Sequence, residues 1–157
     1  MIVPEERFML AAIEQANLAR ERGDYAIGVV IVWDGEIYSR GANMTKTSQD
    51  PTNHAEIVAI REAVKKLGLR HLEGAILYST NEPCIMCSGA SVWAKLAGII
   101  YGSRWEDMRD YANRNSNDDY RWRTIELSCR EVISKSPEKI EVIGGFMREE
   151  CLKLFHH

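Results

Sequence analysis

His54, Glu56, Cys84 and Cys87 are the residues of this chain whose types and spacing could do chemistry. They sit in two short stretches, Asn53-His54-Ala55-Glu56 and Glu82-Pro83-Cys84-Ile85-Met86-Cys87. Each reads as the first turn of a helix. Together they supply an imidazole, a pair of thiols and a carboxylate. A catalytic zinc site takes three protein ligands and keeps a fourth position open for water. His54, Cys84 and Cys87 can be those ligands, which leaves Glu56 as an acid/base group beside them. Cysteines three apart on a helix share one face. In the first turn they lie near unpaired backbone N–H groups, which favour the thiolate that a metal needs. Two thiolates and a neutral imidazole cancel the charge of Zn2+. A neighbouring base then has to help take the proton from water, and Glu56 is placed for it.

A lone C-x-x-C is as readily a redox pair or a structural zinc knuckle, and a lone His-x-Glu at a helix start means little. Joined in this order, with Pro83 before the first cysteine, they form the H-x-E and P-C-x-x-C signature of zinc-dependent nucleobase deaminases. Zinc there lowers the pKa of a bound water. Glu56 takes a proton from that water and returns protons to the ring nitrogen and the leaving amine, so that ammonia departs.

The elements that must position these residues can be read in order. A helix starts at Pro4-Glu5-Glu6, with Met9, Ala12, Ile13 and Ala16 on one face and Gly23 as its stop. Residues 26–33 are almost wholly apolar, which suits a strand buried on both faces. Asp34-Gly35 makes a hairpin turn into a second strand over 36–42, with Asn43 at its end. A loop over 44–52 leads to a helix capped by Asn53 and closed by Gly68. A strand over 74–79, a helix from Asn81-Glu82-Pro83 to about 96 and a strand over 97–102 follow. Beyond these come a short helix over 105–112, a polar loop over 113–119, a last strand over 140–143 and a helix over 146–155. Residues 120–137 carry no assignable pattern. The order predicts an α/β fold, a three-layer α/β/α sandwich around a central mixed five-stranded sheet. Both motifs fall at strand-to-helix junctions, where such sheets place their ligands.

The chain has 157 residues, enough for one domain spanning 1–157, and a formal net charge of -3. That balance gives no electrostatic reason to expect a nucleic-acid partner. Its 4 cysteines are too sparse for a disulfide framework. Cys129 and Cys151 read as small core residues. No signal peptide and no membrane span are expected, and a reducing cytoplasm is the expected setting. His71 reads as a surface histidine, and His156-His157 is given no functional weight.

The chain resembles the cytidine/deoxycytidylate deaminase superfamily, and within it the bacterial guanine deaminases most. The matching residues are Gly28-Val29-Val30-Ile31-Val32, Asp34-Gly35, Asn43 and Asp50-Pro51-Thr52-Asn53-His54-Ala55-Glu56. They continue through Ala59-Ile60-Arg61, Ile76-Leu77-Tyr78, Glu82-Pro83-Cys84, Met86-Cys87, Gly89-Ala90 and Trp93-Ala94. The resemblance implies the cytidine deaminase-like fold, a Zn2+ cofactor and a small heterocyclic substrate, with guanine leading. It implies that Asn43 and Ala55 contact the base, that Asp119 of the Asp118-Asp119 pair reads the guanine edge, and that Trp93 lines the base pocket. It also implies a homodimer. Departures are Ala26-Ile27 and Asn81, where the family carries phenylalanine and cysteine, and a longer stretch over 104–117. The ending through Glu149-Glu150-Cys151 is also similar to the tRNA adenosine deaminases. The alternatives are therefore tRNA adenosine deamination, or deamination of guanosine, ammeline, cytosine or creatinine. A non-enzyme alternative is a catalytically silent zinc-stabilised binding protein, against which the intact Glu56 speaks.

Overall fold

A computed structural model describes residues 1–155; His156 and His157 lie outside the described residues. Its sheet has the order β2-β1-β3-β4-β5, with β1 Gly28–Trp33, β2 Glu36–Ala42, β3 Ile76–Asn81, β4 Gly98–Ser103 and β5 Glu141–Gly144. β1 pairs antiparallel with β2 and β3, while β3, β4 and β5 run parallel. The expected mixed five-stranded sheet and three-layer sandwich are both present.

Side chains alternate between the faces of a strand. Val29, Ile31, Leu77, Ile99 and Tyr101 pack into one apolar cluster, and Val30, Val32, Tyr78 and Ile100 into another. That is why the apolar run read as a strand covered on both sides. Helix α1, Glu6–Arg22, covers the second cluster through Phe8, Met9 and Ala12. Helix α2, Ala55–Leu67, and helix α3, Ile85–Trp93, cover the first. Alanines at the helix faces allow close approach: Ala55, Ala59 and Ala63 are fully buried. Gly41 on β2 completes that fit, since a Cβ there would stand 2.7 Å from the Ala59 N atom. The start of α2, which carries His54 and Glu56, is thereby seated on the sheet.

Helix boundaries differ from expectation in a way that matters for the site. Asn53 does not cap α2; it donates to Ser48 and accepts from Arg61, while His54 occupies the N-cap position. Likewise α3 begins after Cys84, not at Asn81. Beyond β4, helix α4 spans Trp105–Asn115, longer than expected. The stretch that showed no pattern contains a short helix α5, Cys129–Ser134. Its Ser128 and Glu131 form a capping box, a Ser-x-x-Glu signature that the sequence carries openly. The C-terminal helix breaks into α6, Arg148–Leu152, and a 3-10 turn, Lys153–Phe155. Among the described residues, no helix is long and apolar enough to cross a membrane.

Candidate metal centre

His54 and Cys84 are both N-cap residues with extended backbones, and neither side chain makes a capping hydrogen bond. Each is therefore free to face the space between the starts of α2 and α3. There the ligand atoms of His54, Cys84 and Cys87 all lie within 4.8 Å of one another. His54 Nδ1 is 3.6 Å from Cys84 Sγ and 3.5 Å from Cys87 Sγ. A tetrahedral zinc held about 2.3 Å from sulfur and about 2.0 Å from nitrogen sets those atoms about 3.5 Å apart. The donor set and its spacing thus fit zinc, with one tetrahedral position left for a small ligand.

Electrostatics agree with that use. A hydrogen bond from Cys87 pulls the Cys84 thiol down to about 4, against burial, with further help from His54. Cys87, as the donor and more deeply buried, is pushed up. The pair therefore carries one negative charge and one proton that a cation would displace. His54 is raised by its hydrogen bond to Cys84 against the effect of burial. Glu56 is buried at 4% exposure, and that burial raises its carboxyl pKa, partly offset by His54. It stands outside the ligand cluster, as an acid/base group should.

The surroundings hold two residues that the sequence reading missed. Glu82, just before Pro83-Cys84, is 5% exposed. Its Oε2 accepts from the Trp105 N–H at 2.9 Å and its Oε1 from the Cys129 N–H at 2.8 Å. One carboxylate thus satisfies the first turns of both α4 and α5 and ties them to the start of α3. Asp24 is fully buried and accepts from Lys46 N–H, Thr47 N–H and the Thr47 hydroxyl. It shapes the loop that follows Asn43.

Of the residues implied by resemblance, Asn43 is 4% exposed at the end of β2. Its Oδ1 accepts from the Thr45 N–H and hydroxyl, so its Nδ2 amide is the part left for a ligand. Ala55 is fully buried beneath the site. Asp119 is exposed, but Lys46 donates to its carbonyl at 2.7 Å, which draws its strand of chain toward the Asn43 loop. Trp93 is not brought in. It is 80% exposed at the last position of α3. Nine positions after Cys84, at about 100° per residue, it lies about half a turn round the helix.

A half-buried triad of metal-ligand residues with an adjoining buried carboxyl, set at the helix starts of an α/β sandwich, is the arrangement of a metal site with an acid/base group beside it. The match to known proteins makes that class specific: residues 3–103 fit the family described as the cytidine and deoxycytidylate deaminase zinc-binding region. The chain belongs to this family.

Among its relatives, the tRNA-specific adenosine deaminase of Bacillus subtilis (strain 168) is 44% identical over 99 residues, covering 63% of this chain and 62% of that one. The guanine deaminase of the same organism is 41% identical over 104 residues, covering 66% and 65%. The chain therefore spans less than two thirds of the length of these curated relatives. A structure from a study of A-to-I editing by tRNA:A34 deaminases superposes with a TM-score of 0.78 at 32% identity, covering 96% of this chain and 99% of that one. The expectation that nucleic acid is an unlikely partner is overturned by these tRNA-named relatives. Net charge sums over the whole surface, whereas a polyanion meets only the face around the site.

Proposed function

We propose that this chain is a zinc-dependent hydrolytic deaminase of a purine base, and that adenosine within a tRNA is its substrate. What supports tRNA over guanine is the extent of likeness to the tRNA:A34 deaminase structure, which runs over 96% of this chain at 32% identity. Zinc held by His54, Cys84 and Cys87 would supply a water of lowered pKa. Glu56 would take one proton from that water as the water oxygen adds to the ring carbon bearing the amine, and pass it to the adjoining ring nitrogen. The second proton, left on the added hydroxyl, would pass through Glu56 to the amine as the C–N bond breaks, giving the oxo base and ammonia. Burial of Glu56 suits this exchange, because a raised pKa brings giving and taking a proton closer together in cost. The Asn43 Nδ2 amide is suited to donate to N7, an acceptor that adenine and guanine share.

Guanine is the second reading, favoured by the Lys46–Asp119 contact. That contact holds an acidic segment beside the Asn43 loop, where a carboxylate could accept from the donor edge that guanine has and adenine lacks. The deciding experiment measures ammonia release by zinc-loaded protein from a tRNA with adenosine at the wobble position and from free guanine. Glu56→Ala is the control. Inosine in the tRNA with no turnover of guanine supports the first reading, and the reverse result replaces it with the second. The homodimer implied by resemblance belongs to the same reading. Ile85 and Trp93, 40% and 80% exposed on α3, are the apolar side chains that it would cover. Light scattering checks the mass.

A further inference from the structure

Glu82 also lines a cleft of about 300 Å³ between the ends of β4 and β5 and the starts of α4 and α5. Tyr101, Arg104 and Arg130 line it. Tyr101 is only 5% exposed, yet its hydroxyl has no hydrogen-bond partner among the described residues. Other tyrosine hydroxyls in this molecule are used: that of Tyr78 accepts from the Glu5 N–H, and that of Tyr25 bonds both backbone groups of Arg121. Burial, with the charge of Glu82 beside it, pushes the Tyr101 hydroxyl up to about 12, so it stays a donor.

Two glycines let the backbone pack directly against these side chains. A Cβ on Gly144 would stand 2.5 Å from Tyr101 Oη, and one on Gly145 would stand 2.9 Å from Arg104 Nη2. Gly145 also has φ +81°, a conformation that side chains disfavour. Arg104 and Arg130 have no ion-pair partner among the described residues, unlike Arg109 and Arg148. Glu82, whose two oxygens accept from backbone N–H groups, keeps its negative charge beside them. Glu106 is the one other carboxylate on the cleft wall. A hydroxyl that opens to the cleft and two exposed guanidiniums without ion pairs can together meet an oxyanion, against the opposing charges of Glu82 and Glu106. Guanidinium donors in pairs match the geometry of phosphate oxygens.

We propose that this cleft binds a phosphate group through Arg104, Arg130 and the Tyr101 hydroxyl, as a second contact for a nucleotide-bearing ligand of the deaminase. The proposal rests on the reading that the ligand carries a nucleobase. It is tested by calorimetry on the zinc-loaded full chain with inorganic phosphate, adenosine monophosphate and a wobble-adenosine tRNA as separate probes. Tyr101→Phe keeps the ring and removes the donor. It should weaken binding about tenfold, and the Arg104→Gln/Arg130→Gln double variant by more than that. Equal losses for phosphate and the monophosphate identify a free nucleotide phosphate. A loss confined to tRNA identifies a backbone phosphate. Wild-type protein that binds none of the probes, or variants that bind each as the wild type does, overturns the proposal.

Circular dichroism and zinc content report whether the variants fold. Should one not fold, dicarbonyl modification of wild-type arginines, mapped by mass spectrometry with and without phosphate, takes its place. Protection of Arg104 and Arg130 supports the site, and unchanged reaction overturns it. Glu56-dependent ammonia release is scored separately, so failure here is distinct from failure of the deaminase reading.

Discussion

The chain up to Ser103 and the stretch from Arg104 to Lys139 are held in place by different means. In the first, β1 and β4 are buried nearly end to end, and alanine faces of α1 and α2 sit flat on the sheet. The metal-binding residues lie at the helix starts of this part, where the backbone has little freedom. The second is largely exposed from Asn113 to Asp119. Its ties include Glu82 to two helix starts, Lys46 to Asp119, Arg148 to Asp107, and Trp122 packed against Phe155 and Tyr25, with Cys129 and Ile133 joining the core. The metal-ligand residues thus lie where packing fixes geometry. On the proposed reading, ligand preference falls to a segment whose polar ties can be cut one at a time without touching the metal ligands.

The comparison is broken most directly within the first part. Glu56→Ala should lower the rate of ammonia release by about 10²–10⁴-fold, as loss of an acid/base group does. Zinc content, measured by plasma emission, should stay that of the wild type, because Glu56 is outside the ligand cluster. Loss of zinc in this variant would mean that the carboxyl holds the metal instead of moving protons.

Glu82→Ala tests the tie between the parts. It leaves the Trp105 and Cys129 N–H groups without their acceptor, at a cost of about 3 kcal/mol in denaturant unfolding. Proteolysis should then cut within 104–128 first. A uniform loss of stability, with no preferential cutting, would show that the two parts melt as one.

Asp24→Ala acts on the loop after Asn43. Removing an acceptor of four hydrogen bonds, one of them from Arg22, should cost about 2 kcal/mol and raise KM more than it lowers kcat. An unchanged KM would detach that loop from ligand binding.

The smallest effect concerns the anchor of α4. Partial burial pushes the Asp107 carboxyl up, but hydrogen bonds from Arg148 and the Arg104 N–H outweigh this and hold it below its usual value. A carboxylate with a depressed folded pKa adds stability above its unfolded pKa, about 3.9, and loses it as pH falls through the folded value. Arg148→Met should therefore cost about 1 kcal/mol near neutral pH, measured by urea unfolding, and nothing once pH lies below both values. A penalty that persists in acid would assign the effect to packing.

The same division decided what could be read from the residues alone. The β1 run, the hairpin at Asp34-Gly35 and the metal ligands were legible, because their patterns are local and strongly periodic. Helix α5 went unread although its capping box stands in the sequence, because six residues show too little periodicity. Trp93 was drawn to the pocket by resemblance, while helical phase turns it outward. Glu82 and Asp24 act across 47 and 23 residues of chain, distances at which no local pattern reports a partner. Arg104, Arg130 and Tyr101 converge only because β4, β5 and α5 meet at one corner.

Glu82 also sets the terms on which the segment after β4 can be transplanted. A chimera that carries another protein's segment here may differ in loop length, helix content and surface charge. It must still present two helix starts whose first N–H groups converge on one carboxylate. A donor with a single such start would strand one oxygen in a buried socket, next door to the thiolates. Compatibility between a borrowed segment and this scaffold is therefore a matter of two docking points, whatever the degree of sequence likeness between donor and host.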